Sequence, residues 1–210
     1  MTEDSEIDVD ALRAELEQIK DAIGLRDRYP SLVRLWLVYG VLVAVASAGS
    51  QYVALQDLPE YWHGAIWFVT MSVGGGYQWY AGDRESRPAA AGKPNVLVQF
   101  GAILALYFVF VTALGGVDLP PETGEIVVFA VVVALVGTAY LVMAESLRAY
   151  YIRRRDRLAL AVGGLWMLGF AALAPNVEFL RTWGYAVFGG CYAAYAAGAY
   201  LVLSGGGANE

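Results

Sequence analysis

Polar positions along this chain come in short clusters, and apolar positions come in long blocks. The blocks run from about Leu32 to Leu55, Trp62 to Tyr80, Val96 to Leu114, Ile126 to about Arg148, Leu158 to Ala174 and Trp183 to Leu203. A helix needs about 17–25 apolar residues to cross a bilayer, and each block is of that order. The pattern predicts an all-α fold, an integral membrane bundle of six transmembrane helices. Pro30 and Ser31 open the first block, Pro175-Asn176 stops the fifth, and SGGGANE follows the sixth as a flexible tail. The expected organisation is a leader over residues 1–30, a transmembrane domain over 31–204 and a tail over 205–210.

The leader has a different pattern. Val9, Leu12, Leu16, Ile19 and Ile23 recur in alternating steps of three and four, which lays one narrow apolar seam along a short amphipathic helix. Asp8 or Asp10 suits its start and Gly24 its end. Asp8, Asp10, Glu15, Glu17 and Asp21 outnumber Arg13 and Lys20. That is the wrong sign for lying on an anionic membrane. The seam is expected to fold back on the chain's own loops, to self-associate, or to meet a soluble partner.

Composition narrows the chemistry. Hydrophobic residues make up 58% and charged residues 16%, against about 45–50% and 25% in a soluble domain. Cys191 is the sole cysteine and His63 the sole histidine. An intramolecular disulfide, a cysteine-rich metal centre and bis-histidine haem are therefore excluded for want of ligands. No catalytic residue, cofactor or metal is expected, and the chain does not read as an enzyme. The acidic start MTEDSEIDVD lacks the basic-then-apolar pattern of a secretory signal, so the first membrane helix is expected to direct insertion. His63 lies near Asp57 and Glu60, but it reads first as an interfacial histidine beside Trp62. Glu145 and Arg148 are spaced as an i, i+3 pair at the end of the fourth helix.

Charge position predicts orientation. Thirteen of the fourteen Lys and Arg residues lie in the N-terminal segment, the second connection and the fourth connection, and Arg181 alone lies on the opposite side. By the positive-inside rule the chain is a multi-pass cell-membrane protein with both termini cytoplasmic. In AYYIRRRDRLAL, Arg153, Arg154, Arg155 and Arg157 form a basic knot, read as the cytoplasmic turn between helices four and five. It serves topology first and an anionic lipid headgroup second. Nothing else supports nucleic-acid binding.

The acidic, lysine-poor leader followed by LRDRYPSLVRLWLVYG resembles haloarchaeal polytopic membrane proteins of uncharacterised families. The resemblance is compositional and brings no functional motif. It implies a salty cytosol, where the Debye length near 1 M salt is about 3 Å and long-range attraction is screened.

The sixth block carries two stripes. Ala186, Gly190, Ala194 and Gly198 form a small-residue stripe suited to close helix packing. Tyr185, Phe188, Tyr192 and Tyr195 form an aromatic stripe, which fills core or meets lipid, or else makes one wall of a ligand pocket. Gly74-Gly75-Gly76 in the second block predicts close packing or, less readily, a broken helix exposing carbonyls. Leu35-Trp36 before Gly40 and Leu165-Trp166 before Gly169 suggest a repeated hairpin. The function expected is a structural or accessory subunit of a membrane assembly, as a homo-oligomer or with a membrane-complex partner. A small-molecule transporter or channel subunit is the alternative.

Overall fold

The computed structural model describes residues 30–81, 96–117, 120–150 and 154–205. The chain divides into two units, Met1–Pro30 and Ser31–Glu210, and the helices below form the second. The leader seam (Val9, Leu12, Leu16, Ile19, Ile23) and Arg153 lie outside the described residues.

The described residues are helical and contain no strand. The helices are α1 (Pro30–Leu55), α2 (Tyr61–Ala81), α3 (Val96–Leu114), α4 (Pro121–Ser146), α5 (Arg154–Leu173) and α6 (Glu178–Gly205), with a 3-10 turn at Leu147–Tyr150 after α4. Four of them, over Arg34–Leu55, Thr123–Ser146, Arg154–Leu173 and Glu178–Ser204, are long and apolar enough to cross a membrane. α2 and α3 fall short of that standard. α2 is diluted by its glycines, Gln78 and Ser72, and the described part of α3 is short.

The helix ends follow local chemistry. α1 closes with Asp57 in the left-handed region (φ 50), where Leu58 N–H reaches Val53 O at 3.1 Å and Asp57 N–H reaches Ala54 O at 3.4 Å. That pairing is a Schellman motif with aspartate in the place usually held by glycine. α4 opens with Pro121 in its first turn, where a missing N–H costs nothing. It therefore starts five residues before the apolar block does, and takes Glu125 into the helix. α5 ends at Leu173, and the Asn176 side chain donates to Ala172 O at 2.8 Å just past Pro175.

Glycine sets the closest helix contacts. α4 and α5 pack the most extensively, because a Cβ at Gly164 would lie 2.6 Å from Gly137 O and one at Gly137 would lie 2.9 Å from Gly164 O. Backbone meets backbone there, the packing mode open to membrane helices that have no hydrophobic drive between them. α6 meets α1 where a Cβ at Gly189 would lie 2.6 Å from Ser47 and one at Gly40 would lie 2.7 Å from Ala196, and meets α4 where a Cβ at Gly184 would lie 2.9 Å from Ile126. The glycine triplet does not break α2, which is continuous from Tyr61 to Ala81. A Cβ at Gly74 would lie 2.8 Å from the Tyr39 ring, while one at Gly75 or Gly76 would meet nothing within 4 Å.

Candidate functional site

The two stripes of α6 lie on different faces. Tyr185, Phe188 and Tyr192 are buried in the core with Val43, Ile126, Phe129, Val133, Met167 and Phe170. Ring centroids separate Tyr185 and Phe129 by 4.3 Å, Phe188 and Trp166 by 5.5 Å, and Tyr195 and Trp36 by 5.4 Å. The Tyr140 and Tyr192 hydroxyls are 2.6 Å apart, and the Tyr195 hydroxyl donates to Ala159 O at 2.6 Å. The aromatic stripe thus packs as core, and other rings occupy the space a ligand facing it would need. Trp36 and Trp166, from the two Leu-Trp segments, converge on Tyr195.

The small-residue stripe faces away from the other described helices. Ala186, Gly190, Ala194 and Gly198 are all exposed, and a Cβ at Gly190 or Gly198 would meet nothing within 4 Å. The glycines and alanines that α6 uses internally, Gly184, Gly189 and Ala196, sit on the adjacent face. The four-residue spacing predicted a stripe correctly, but a period alone does not say which of two neighbouring stripes faces inward.

The described arginines of the basic knot are helical. Arg154, Arg155 and Arg157 lie in the first turn of α5, which begins four residues before its apolar block. Arg157 Nε donates to Ala144 O at 3.1 Å, pairing a carbonyl in the last turn of α4, and its Nη2 lies 3.8 Å from Glu145 Oε2. This is the C-terminal cation arrangement that a helix dipole favours. Arg154 and Arg155 are exposed. Glu145 sits at the surface, 3.5 Å from Arg148, as its i, i+3 spacing predicted.

A polar cluster missed in the sequence lies at the opposite end of the bundle, near the α1–α2 connection. His63 does not stay beside Trp62 at a surface. It stacks on Tyr185 (5.1 Å between centroids, 20° between planes), and its Nε2 lies 3.1 Å from Glu125 Oε1. The Tyr185 phenol also faces the Glu125 carboxylate. Glu125 Oε1 and His63 Nδ1 are buried without a hydrogen-bond partner among the described residues, so the His63–Glu125 contact has ion-pair distance without hydrogen-bond alignment. Gln51 lies across α6 nearby. Its Nε2 donates to Thr182 O at 2.8 Å, and its Oε1 accepts from Ala186 N–H at 3.1 Å. Those two backbone groups are one helical turn apart, so a single amide clamps α1 to that turn. The signal that would have found Glu125 is the Pro-Pro pair: Pro at the first helical position moves the start of α4 upstream of its apolar block.

Among the described residues no cluster of three or more His, Cys, Asp or Glu side chains has the arrangement of a metal site. No family model, curated protein or solved structure matches the chain.

Proposed function

We propose that this is a six-span membrane protein with both termini cytoplasmic, serving as a non-enzymatic structural or accessory subunit of a membrane assembly. The observation that carries the reading is the outward face of α6. Ala186, Gly190, Ala194 and Gly198 are exposed, and a Cβ at Gly190 or Gly198 would meet nothing within 4 Å among the described residues. Elsewhere in this bundle Gly137, Gly163, Gly164, Gly184 and Gly189 each face another helix, while Gly64, Gly75, Gly76, Gly101 and Gly169 do not. A helix from a second copy or from another subunit fits the strip by the same close approach.

Six spans are supported by length. α2 has 21 residues and α3 has 19, or about 32 and 28 Å at 1.5 Å per residue, against a hydrocarbon core of about 30 Å. Their outward residues include Phe68, Val69, Phe108, Val109 and Phe110, which suit lipid. The Lys and Arg distribution supports the orientation. Cysteines placed at Gly116 and Ala90 in a Cys191→Ser background test the threading. Gly116 should react from outside intact cells and Ala90 only after permeabilisation; equal reactivity would refute it. Assembly is tested by mass in mild detergent, where Gly190→Leu should lose a partner and keep its helicity.

A second reading, a small-molecule transporter or channel subunit, is favoured by one observation. Glu125 and His63 are ionisable groups that meet at one end of the bundle, half-buried between helices, and ionisable groups among membrane helices commonly mark ion or substrate paths.

A further inference from the structure

The helix that carries His63 is lightly buried. Of Tyr61 to Tyr80 only Thr70 and Gly74 are buried. α2 touches α1 through Ile66 against Gly49 and Gly74 against Tyr39, with an exposed hydrogen bond from the Tyr39 hydroxyl to Gln78 Oε1 at 3.2 Å. It reaches α4 and α6 by polar contact through His63, which meets Glu125 and Tyr185. An element with so little buried surface belongs to the low-stability end of a fold. At this end Trp67 packs against the buried core, and one ionisable pair adds the polar contact.

That pair is poised to respond to a proton. The contact is strongest while Glu125 is ionised, and Glu125 Oε1 and His63 Nδ1 are buried without a hydrogen bond among the described residues. Among the described residues the other titratable groups facing the pair are few. α6 presents Tyr185, the α1–α2 connection presents Glu60, which faces Tyr185, and α1 presents the neutral Gln51 amide on the neighbouring turn of α6. No second cation from these elements replaces His63 beside Glu125. We infer that Glu125 and His63 form a proton-binding site whose occupancy governs whether α2 stays docked on α4 and α6. At neutral pH the carboxylate holds the ring. Acid places a proton on Glu125, the carboxylate's hold on the ring weakens, and α2 swings away from the bundle at this end. Alkali leaves the carboxylate ionised and leaves α2 docked. This device stands apart from the assembly reading, since the outward strip of α6 lies on another face.

The chain supplies its own reporter, because Cys191 is single and exposed on α6. A second cysteine replaces the exposed Ser72 on α2, and spin labels on both give the α2–α6 distance in lipid nanodiscs. The full chain is compared at neutral pH and below the ordinary carboxylate range of about 4, with circular dichroism to confirm retained helix. The expected result is one short distance at neutral pH and a second, longer population in acid. Glu125→Gln should show the longer population already at neutral pH, and the exposed-site control Asp57→Asn should behave as native. A single unchanged distance for the native chain across both conditions overturns the proposal. So does an acid response that persists unaltered in Glu125→Gln. If Glu125→Gln fails to fold, His63→Leu takes its place, and the native titration alone remains decisive.

Discussion

Gly164→Ala is a one-carbon test of how this bundle is held together. The added Cβ would lie 2.6 Å from the Gly137 carbonyl oxygen and 2.7 Å from Leu141 Cγ. The first neighbour is backbone, so relief requires α4 and α5 to separate along their whole contact. Overpacking typically costs about 1–3 kcal/mol, and an approach this close to a backbone atom belongs at the upper end. Alanine returns about 1 kcal/mol of helix propensity. The net loss is about 2 kcal/mol, or about 30-fold in the folding equilibrium. Gly190→Ala is the matched control: its Cβ meets nothing within 4 Å, so the isolated chain should keep the propensity gain of up to about 1 kcal/mol. Reversible unfolding in mixed micelles, followed by far-ultraviolet circular dichroism, measures both. A Gly164→Ala chain as stable as native would show that α4 and α5 do not meet through their backbones, and would remove the main packing contact of this account.

Further substitutions test three named sites in the same assay, most of them with a matched control. Gln51→Leu removes both bonds to the Thr182–Ala186 turn and should cost about 1–2 kcal/mol, whereas Gln78→Leu, with its one exposed bond, should be near neutral. Arg157→Ala leaves Ala144 O without its side-chain donor and should cost about 1 kcal/mol, while the exposed Arg155→Ala should leave stability unchanged. Tyr192→Leu empties part of a buried ring site and should cost about 2–3 kcal/mol; Tyr192→Phe should cost about 1–2 kcal/mol by leaving the Tyr140 hydroxyl unpaired. The order is Tyr192→Leu worse than Gly190→Leu for the isolated chain, the reverse of what the stripes alone suggest.

The apolar blocks carried the elements well. α3 spans Val96–Leu114, as its block does, and α1 and α2 differ from theirs by one or two residues. The larger misses are at the starts of α4, α5 and α6, five or fewer residues upstream of their blocks. In each case the first turn is polar or charged: PETGE, RRDR and EFLR. Hydropathy cannot see a helix whose first turn projects beyond the apolar layer, although Pro121, Asp156 and Glu178 are the residue types that favour a helix start. The site was hidden by the same effect. His63 was visible as the only histidine, but its partner Glu125 is 62 positions away in a segment that reads as loop. The aromatic and small stripes of α6 were both visible, but which one faces inward depends on neighbours that a single helix period does not encode.

The assembly reading rests on α6 meeting a helix that does not belong to this chain. A benzophenone probe attached to an Ala194→Cys chain, in a Cys191→Ser background, tests that contact in native membranes without extraction. The same probe at Val162→Cys, on an exposed part of α5, reports collision with lipid and passing proteins. Illumination should give a discrete higher-mass protein adduct from Ala194, of one stoichiometry, and none of comparable yield from Val162. Equal adduct yield at both positions, or lipid adducts alone at Ala194, would contradict the claim that the open strip of α6 is a helix-docking face.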